Sequence, residues 1–565
     1  MQALRTLYRL MTGARRRHLA ATLALMLLGV VAEMVTIGAV MPLLALAADA
    51  DTALVGPRLR AWLGFAGGDP LVGAAVLLVG AAIAAAAVRL LLAWASNSFV
   101  MKLGHEVASA IFSRMLRQPY AVYLRRNSSE ILSGIEKVQP VVSGLLQPAM
   151  QGTIATGMGL FVAILLFFID PMAAGIGGLS ILVAYAAMSR VTRYRLRGNA
   201  RIIGRAMTDR TKIVQEGLGG IRDIMIERSQ PLFEQRFRAI DARLRRAVAV
   251  NAFIAASPRF VIEAAAIVAI ALVTLAMSVR PGGIVAAIPV LGALALGAQR
   301  LLPLIQTAWH GWTQASGNVQ LLKDIAALIE TAPEPVRPPA APLAFRDGLV
   351  FDAVSFRYEG GAFALRDVSI AIGRGERVGI AGTTGSGKST LLDLLMGLLD
   401  PDEGAIRIDG KALDDATRPG WQAAIAHVPQ AIYLADDSIA ANIAFAAAEG
   451  GIDMARVRDA ARAACLADFI ESLPDGYETT VGERGIRLSG GQRQRIGLAR
   501  ALYKGTQVLI LDEATSALDE DTERAVLATL AALPGDLTII MVAHRSSTLD
   551  ACDRRVRLEG GRLVG

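Results

Sequence analysis

The amino-acid sequence predicts a chain of two parts, an α-helical membrane domain with six spans followed by a soluble α/β domain. Of its 565 residues, 53% are hydrophobic and 19% are charged, and the long apolar runs concentrate before about residue 310. A linker follows, in which five prolines prevent helix formation: Pro333, Pro335, Pro338, Pro339 and Pro342. We therefore place the membrane domain at 1–330, the linker at 331–345 and the α/β domain at 346–565.

Six apolar segments are long enough to cross a bilayer, since a spanning helix needs roughly 20 apolar residues. They are 19–46, 71–98, 143–168, 172–190, 253–279 and 284–308. The first is much longer than the ~7–15-residue apolar core of a secretory signal, so we expect a retained helix. A short polar segment, about 47–69, separates the first two spans.

The positive charges predict the orientation of these spans. One set of connecting segments is rich in arginine and lysine, whereas the other set, 47–70, 169–171 and 280–283, holds only Arg58, Arg60 and Arg280. The positive-inside rule therefore places both ends of the chain, and the α/β domain, in the cytoplasm. The net charge of +8 is explained by arginines that flank apolar runs, so we expect no nucleic-acid partner.

Two long polar segments, 99–142 and 191–252, predict helices that extend from the spans into the cytosol. Each contains a residue type that breaks a helix, at Gln118-Pro119-Tyr120 and at Gly217-Leu218-Gly219-Gly220. We expect each helix pair to reverse direction there.

A glycine-rich loop in the α/β domain is the first motif that indicates its chemistry. It fits the pattern G-x-x-x-x-G-K-[ST] between a predicted strand, 378–381, and a predicted helix, 390–395. Backbone N–H groups of such a loop surround phosphate oxygens, while its lysine reaches the β and γ phosphates and its final hydroxyl binds Mg²⁺. The predicted ATP site comprises Gly382, Thr383, Thr384, Gly385, Ser386, Gly387, Lys388, Ser389 and Thr390.

A second motif supplies carboxylates. The apolar run Val508–Leu511 predicts a strand buried on both faces, and it ends at Asp512 and Glu513. We expect Asp512 to hold Mg²⁺ and Glu513 to orient and deprotonate the attacking water, roles that suit phosphoryl transfer.

The segment Leu488-Ser489-Gly490-Gly491-Gln492 carries a family resemblance. With it, residues 346–565 resemble the nucleotide-binding domain of ABC transporters over their whole length. The resemblance implies that Ser489 to Gln492 help to bind ATP, and that Ser489 and Gly491 contact the γ-phosphate on a second chain. It therefore implies a homodimer with ATP between the two copies.

Other positions match the family one at a time. The resemblance implies that Tyr358 stacks on adenine, that Gln430 senses Mg²⁺, and that His544 contacts the γ-phosphate. Asp519, in Ser516-Ala517-Leu518-Asp519, matches a loop that links the two ATP sites, and 480–485 matches a segment of exporters. Short coupling helices near 118–125 and 217–224 are expected beside the Gln430 loop. No expected catalytic group is missing, so both sites of a homodimer should hydrolyse ATP.

Six spans fused to this domain resemble ABC half-transporters of the type IV exporter class. The resemblance implies a multi-pass protein of the bacterial cytoplasmic membrane that exports or flips an amphipathic substrate across that membrane, with membrane lipids as its surroundings. A soluble-type ABC ATPase acting on DNA or ribosomes is disfavoured by the spans. An ATP-gated channel stays open as an alternative, which accumulation of substrate against a gradient would exclude.

Charged residues inside the predicted spans are costly and point to function. They are Glu33, Arg89, Arg259, Glu263 and Arg300. They either pair, as Glu33 with Arg89 and Arg259 with Glu263, or Arg89, Arg259 and Arg300 bind a phosphate, to which guanidinium groups pair bidentately.

Two membrane-domain segments suggest a particular substrate. Glu216–Asp223 and Pro258-Arg259-Phe260 resemble bacterial flippases of lipid-linked oligosaccharides, as does the polar segment near 47–69, where that family has an external helix. This implies that the three arginines bind a lipid pyrophosphate. Export of a small modified peptide or another amphipathic compound is the alternative.

Overall fold

A computed structural model of the chain describes residues 2–47, 62–63, 69–125, 128–169, 171–278, 283–330, 342–445, 451–514, 518–531, 536–543 and 549–564. These residues form two compact units. The first is Met1–Gln118 with Tyr123–Pro335, and the second is Pro119–Val122 with Val336–Gly565. Most of the expected external helix near 47–69, most of the linker at 331–345, and His544 lie outside the described residues.

The described part of the first unit consists of helices and the short connections between them. Its helices are α1 (Gln2–Leu10), α2 (Gly13–Ala47), α3 (Pro70–Leu116), α4 (Tyr120–Arg125, which bridges both units in sequence), α5 (Ser128–Glu136), α6 (Val138–Val141), α7 (Gln147–Ile169), α8 (Pro171–Gly219), α9 (Ile221–Ile226), α10 (Gln230–Ser278) and α11 (Gly283–Glu330). A π-helical turn, Val142–Leu146, joins α6 to α7.

The predicted spans at 19–46, 71–98, 172–190 and 284–308 fall within α2, α3, α8 and α11. The span at 143–168 begins in the π-helical turn and continues through α7. The span at 253–279 lies in α10 as far as Ser278, and residue 279 is outside the described residues. Except for α7, these helices are longer than the predicted spans. The 47 residues of α3 extend about 70 Å at ~1.5 Å per residue, more than twice the ~30 Å thickness of the bilayer core. Asp69 and Pro70 start it, because the Asp69 carboxylate accepts the Leu71 N–H at 2.9 Å.

Composition supports membrane insertion for much of this unit. Within the described residues, four helical stretches are long and apolar enough to cross a membrane: Gly13–Val40, Pro70–Leu116, Ser129–Phe168 and Gln230–Ala264. The predicted spans at 172–190 and 284–308 lie in α8 and α11, where many side chains are outside the described set.

The cytoplasmic extensions predicted from sequence pack into their own apolar core. Ile111 of α3 and Leu321 and Ile325 of α11 are at most 1% exposed, within a cluster that also includes residues of α1, α6, α8 and α10. The structure has helix breaks at both predicted places, because α3 ends at Leu116 and α8 at Gly219, and each is followed by a short helix, α4 or α9. Helices α7 and α11 cross closely at Gly152 and Gly311.

The second unit contains two sheets. Its strands are β1 (Gly348–Arg357), β2 (Phe363–Gly373), β3 (Arg377–Gly382), β4 (Glu403–Ile408), β5 (Lys411–Ala412), β6 (Ile425–Val428), β7 (Val508–Asp512), β8 (Thr538–Val542), β9 (Arg554–Glu559) and β10 (Arg562–Val564). One sheet is antiparallel, in the order β2-β1-β4-β5, and the other has the order β10-β9-β3-β8-β7-β6.

Helices of the second unit cover these sheets. They are α12 (Lys388–Leu395), α13 (Arg418–Ala424), α14 (Ile439–Ile443), α15 (Met454–Ala463), α16 (Ala467–Glu471), α17 (Gly490–Lys504) and α18 (Glu520–Ala531). Trp421 anchors α13, because its ring is fully buried and its Nε1–H donates to the Leu395 carbonyl oxygen at 2.7 Å.

The six-stranded sheet positions the site. Strands β6, β7, β8, β3 and β9 run parallel, so their carboxyl ends meet at one edge. Asp512 is in register with Val542, and Ile380, two residues before the glycine-rich loop, is in register with the same Val542. Ligands of open parallel sheets bind at this edge, where the predicted motifs lie.

Candidate functional site

The glycine-rich loop between β3 and α12 has the geometry of a phosphate cradle. Gly385 and Gly387 have positive φ angles, 82° and 103°, a region that L side chains avoid. A Cβ at Gly387 would also lie 2.6 Å from the Ala364 carbonyl oxygen. Lys388 holds the turn closed, since its Nζ donates to the carbonyl oxygens of Gly382 at 2.7 Å and Thr383 at 3.0 Å.

Ser386 places a buried hydroxyl inside this cradle. The residue is 3% exposed, and its Oγ has no hydrogen-bond partner among the described residues. Because buried hydroxyls almost always form a hydrogen bond, we expect the Ser386 hydroxyl to bond to an atom of a ligand. A nucleotide phosphate at the loop provides one, so the residues fit ATP. Thr383, Thr384 and Ser389 are exposed beside it.

The predicted base and the predicted sensor of Mg²⁺ meet. Gln430 follows β6 and Glu513 follows β7, and because these strands are neighbours, Gln430 Nε2 donates to Glu513 Oε2 at 2.6 Å. The Glu513 backbone is fixed by its N–H, which donates to the Val542 carbonyl oxygen at 2.9 Å, and has a positive φ of 49°. The Glu513 side chain therefore projects from a constrained turn that lies at the edge of the sheet.

Asp393 is a residue that sequence reasoning missed. Burial, together with the neighbouring charge of Asp512, raises its pKa to about 6. It lies on α12 four residues after Ser389, on the same helix face, and this spacing was the available signal. The structure therefore brings Asp393 within electrostatic range of Asp512, and Asp393 lies on the helix that also carries the hydroxyl predicted to bind Mg²⁺. Ser389, Gln430 and Asp512 carry oxygen atoms of the type that this ion prefers, and their role as its ligands stays a prediction.

Tyr358 presents an aromatic face next to the loop. Its ring packs edge-on against Phe356, with centroids 5.1 Å apart, and its hydroxyl lies 3.1 Å from Thr390 Oγ1. The side chain is 40% exposed, which leaves a ring face available for the predicted stacking on adenine.

The segment Ser489–Gln492 starts helix α17 through a capping box. Ser489 Oγ accepts the Gln492 N–H at 3.2 Å, and Gln492 Oε1 accepts the Ser489 N–H at 2.8 Å. Gly490 and Gly491 are the first helical residues, so their N–H groups lie at the positive end of a 15-residue helix. The predicted contact of this turn with a phosphate on a second chain stays a prediction.

Asp519 has a local partner in the structure. Its carboxylate accepts the Thr522 N–H at 2.9 Å and the Thr522 hydroxyl at 2.8 Å, and these bonds lower its pKa. They fix the start of α18. Its predicted part in ATP binding stays a prediction, and Ser516, Ala517 and His544 lie outside the described residues.

The charges in the membrane-domain helices form two separate groups. Glu33 of α2 is 7% exposed and pairs with Arg89 of α3 at 3.5 Å and with Arg300 of α11 at 2.9 Å. Arg259 pairs within α10, its Nε lying 2.8 Å from Glu263 Oε1. The two expected pairings therefore occur, and Arg300 joins the first of them.

Comparison with known proteins decides the family. Residues 19–280 match the family described as the ABC transporter transmembrane region, and residues 365–516 match the family described as ABC transporter. The chain belongs to the ABC transporter family. Its two matched regions lie in one chain, as expected of a half-transporter.

Its relatives and structural neighbours are exporters and flippases. It is similar to the ATP-dependent lipid A-core flippase of Ralstonia nicotianae, 35% identical over 471 residues that span 80% of this chain and 77% of the relative. The flippase of the same description from Cupriavidus metallidurans is 34% identical over 512 residues, 86% of this chain and 82% of the relative. The solved structure of a bacterial Atm1-family ABC exporter with ATP bound is 25% identical, with a TM-score of 0.79 over 98% of this chain and 95% of that one.

These findings confirm the predicted fold class, a helical membrane domain of the type IV exporter class with an α/β nucleotide-binding domain. The protein is a multi-pass membrane transporter that binds and hydrolyses ATP and couples hydrolysis to transport. The loop, carboxylates and aromatic ring described above stay its predicted ATP site.

Proposed function

We propose that this transporter flips a lipid with a phosphate-bearing headgroup across the bacterial cytoplasmic membrane. The observation that carries the proposal is the pairing of Arg89 and Arg300 with one carboxylate, Glu33. Two guanidinium groups against one carboxylate leave one unit of positive charge. Both arginine side chains keep 43% and 45% of their surface exposed, so each retains donors for a ligand.

The chemistry of this group favours phosphate. A guanidinium group offers planar paired donors that match a phosphate, and ionisable groups among spanning helices are kept only where they have a use. Glu33 fixes the positions of both arginines before the substrate binds. A neutral peptide would leave the excess charge without a partner, so the proposal favours an anionic lipid over the peptide alternative.

Two glycolipid classes fit. The relatives named lipid A-core flippases are 34–35% identical over at least 80% of this chain, which supports a lipid A-core type glycolipid as the first candidate. A lipid-linked pyrophosphate oligosaccharide is the second candidate, supported by the resemblance of Glu216–Asp223 and Pro258–Phe260. Arg259 is a weaker contributor to the phosphate site, because Glu263 already neutralises it.

We further propose that two copies of the chain enclose ATP, each loop facing the Ser489–Gln492 turn of the other copy. Ser389, Gln430 and Asp512 would hold Mg²⁺, which supplies positive charge to the phosphates. Glu513 takes a proton from water, Lys388 binds the terminal phosphates, and His544 contacts the γ-phosphate. Helices α4 and α9 would transmit closure of the nucleotide-binding domains to the spans.

Reconstituted vesicles test the substrate. Wild-type protein and the variants Arg89→Ala, Arg259→Ala and Arg300→Ala are compared for ATP-driven flipping of a fluorescent lipid A-core glycolipid, a lipid pyrophosphate oligosaccharide and an uncharged lipid. We expect loss of flipping with unchanged basal ATPase for Arg89→Ala and Arg300→Ala, and a smaller loss for Arg259→Ala.

Arg238→Ala is the matched control, since Arg238 forms the same type of i,i+4 pair with Glu234 on α10, outside the predicted spans. It should flip lipid as the wild type does. Undiminished flipping in all three test variants, or equal flipping of the uncharged lipid, would contradict the proposal.

A further inference from the structure

The first two helices of the chain carry a basic surface that belongs neither to the predicted ATP site nor to the proposed substrate site. Residues 1–17 contain five arginines, and the first acidic residue of the chain is Glu33. Arg15 is accounted for, because it pairs with Glu106 at 2.9 Å. The other four, Arg5, Arg9, Arg16 and Arg17, are exposed, and no carboxylate of the described residues lies within salt-bridge distance of them.

Helix α1 is fixed on one face. Leu7 is 3% exposed in the core it shares with α3 and α11. Thr6 Oγ1 donates to Glu330 Oε1 at 2.6 Å. The helix is therefore docked, and its outer face has a defined orientation.

The outer face combines charge with an aromatic ring. Tyr8 is 51% exposed, and the Arg16 guanidinium lies over its ring, 4.8 Å from the centroid. Arg16 and Arg17 directly precede the apolar run that starts near Leu19, which places this face where the chain enters the bilayer. Tyrosine with several arginines is the composition of a helix in the plane of the membrane interface.

We propose that Arg5, Tyr8, Arg9, Arg16 and Arg17 form a docking surface for anionic phospholipid headgroups of the cytoplasmic leaflet. Clusters of basic residues next to a span attract such lipids. The phosphodiester groups of the lipids are negatively charged and would pair with these arginines, for which the described residues offer no carboxylate. Lipids bound here would hold α1, and through Leu7 the cytoplasmic core of α3 and α11, at the bilayer surface.

Native mass spectrometry of the full-length protein in detergent tests this surface. Phosphatidylglycerol and phosphatidylcholine with identical acyl chains are titrated, and the dissociation constants of the bound lipids are compared. The variant Arg5→Gln/Arg9→Gln/Arg16→Gln/Arg17→Gln should bind phosphatidylglycerol at least tenfold more weakly, since each arginine contributes about fivefold. Phosphatidylcholine binding should not change.

Two further variants separate charge from folding. Replacing the same four arginines by lysine should restore phosphatidylglycerol binding, because lysine supplies the same charge. The control Arg205→Gln/Arg236→Gln/Arg243→Gln/Arg246→Gln removes four exposed arginines from the extensions of α8 and α10 and should bind as the wild type does. Equal affinity of the first variant and the wild type, or an equal loss in the control, would overturn the proposal.

Discussion

The unpaired hydroxyl of Ser386 makes a specific prediction about nucleotide binding. In Ser386→Ala the loop keeps its backbone and loses one buried Oγ that has no partner among the described residues. A hydrogen bond to a charged group is worth about 1.5–3 kcal/mol, so the affinity for ATP should fall roughly 10- to 150-fold. Without nucleotide, the same change removes an unpaired polar atom, so stability should stay equal or rise.

Thermal unfolding of the full chain, with and without a non-hydrolysable ATP analogue, measures both effects. Ser389→Ala is the control, because Ser389 is exposed and is predicted to act through Mg²⁺. Its effect on affinity should require Mg²⁺, whereas that of Ser386→Ala should not. Lower stability of Ser386→Ala without nucleotide, together with unchanged affinity, would refute the assignment of this hydroxyl to a phosphate.

Three other substitutions give separate outcomes. Glu513→Gln should lower the rate of phosphate release about 10²- to 10⁴-fold while ATP still binds, because it removes the base; wild-type turnover would contradict that role. Gly311→Ala should lower the free energy of unfolding by about 1–3 kcal/mol, since its Cβ would lie 2.9 Å from Gly152 Cα. Gly80→Ala is the control and should not lower it, because a Cβ at Gly80 would have no atom within 4 Å. Burial alone would raise the pKa of Asp409, but three backbone N–H donors and a neighbouring arginine lower it. A carboxyl whose pKa is lowered by folding stabilises the folded state at pH values above its pKa in the unfolded state. This stabilisation is lost as the pH falls through its pKa in the folded state. Asp409→Asn should therefore destabilise the chain by about 1 kcal/mol at neutral pH, and the difference should vanish at acidic pH once the carboxyl of the wild type is protonated. A pH-independent difference would count against it.

The positions of the spans could be predicted from sequence, but the lengths of their helices could not. Apolar runs mark the part of a helix that lipid covers, and this signal ends where the sequences of α3 and α11 become polar. There the helices continue because residues such as Ile111 and Ile325 are buried in one shared protein core, which brings together distant segments of the chain in a way that no local pattern encodes. Helix α1 was missed for the same reason, since it is stabilised by docking of Leu7.

The loop and the carboxylates of the ATP site could be predicted because their spacing is local. The bond between Gln430 and Glu513 depends instead on β6 and β7 being neighbours in the sheet, which is a matter of topology. Likewise, the pairing of Glu33 with Arg89 was anticipated, but the approach of Arg300 from α11 depends on helix packing.

The central claim is that two chains share each ATP site. Mixed dimers of one Lys388→Ala chain and one Ser489→Arg chain test it, with ATP occlusion as the readout. A shared site predicts that one site of each mixed dimer retains both intact halves and occludes one nucleotide, although neither parent homodimer does. If each chain used its own Ser489, both sites would be damaged, and mixed dimers that occlude no nucleotide would contradict the account.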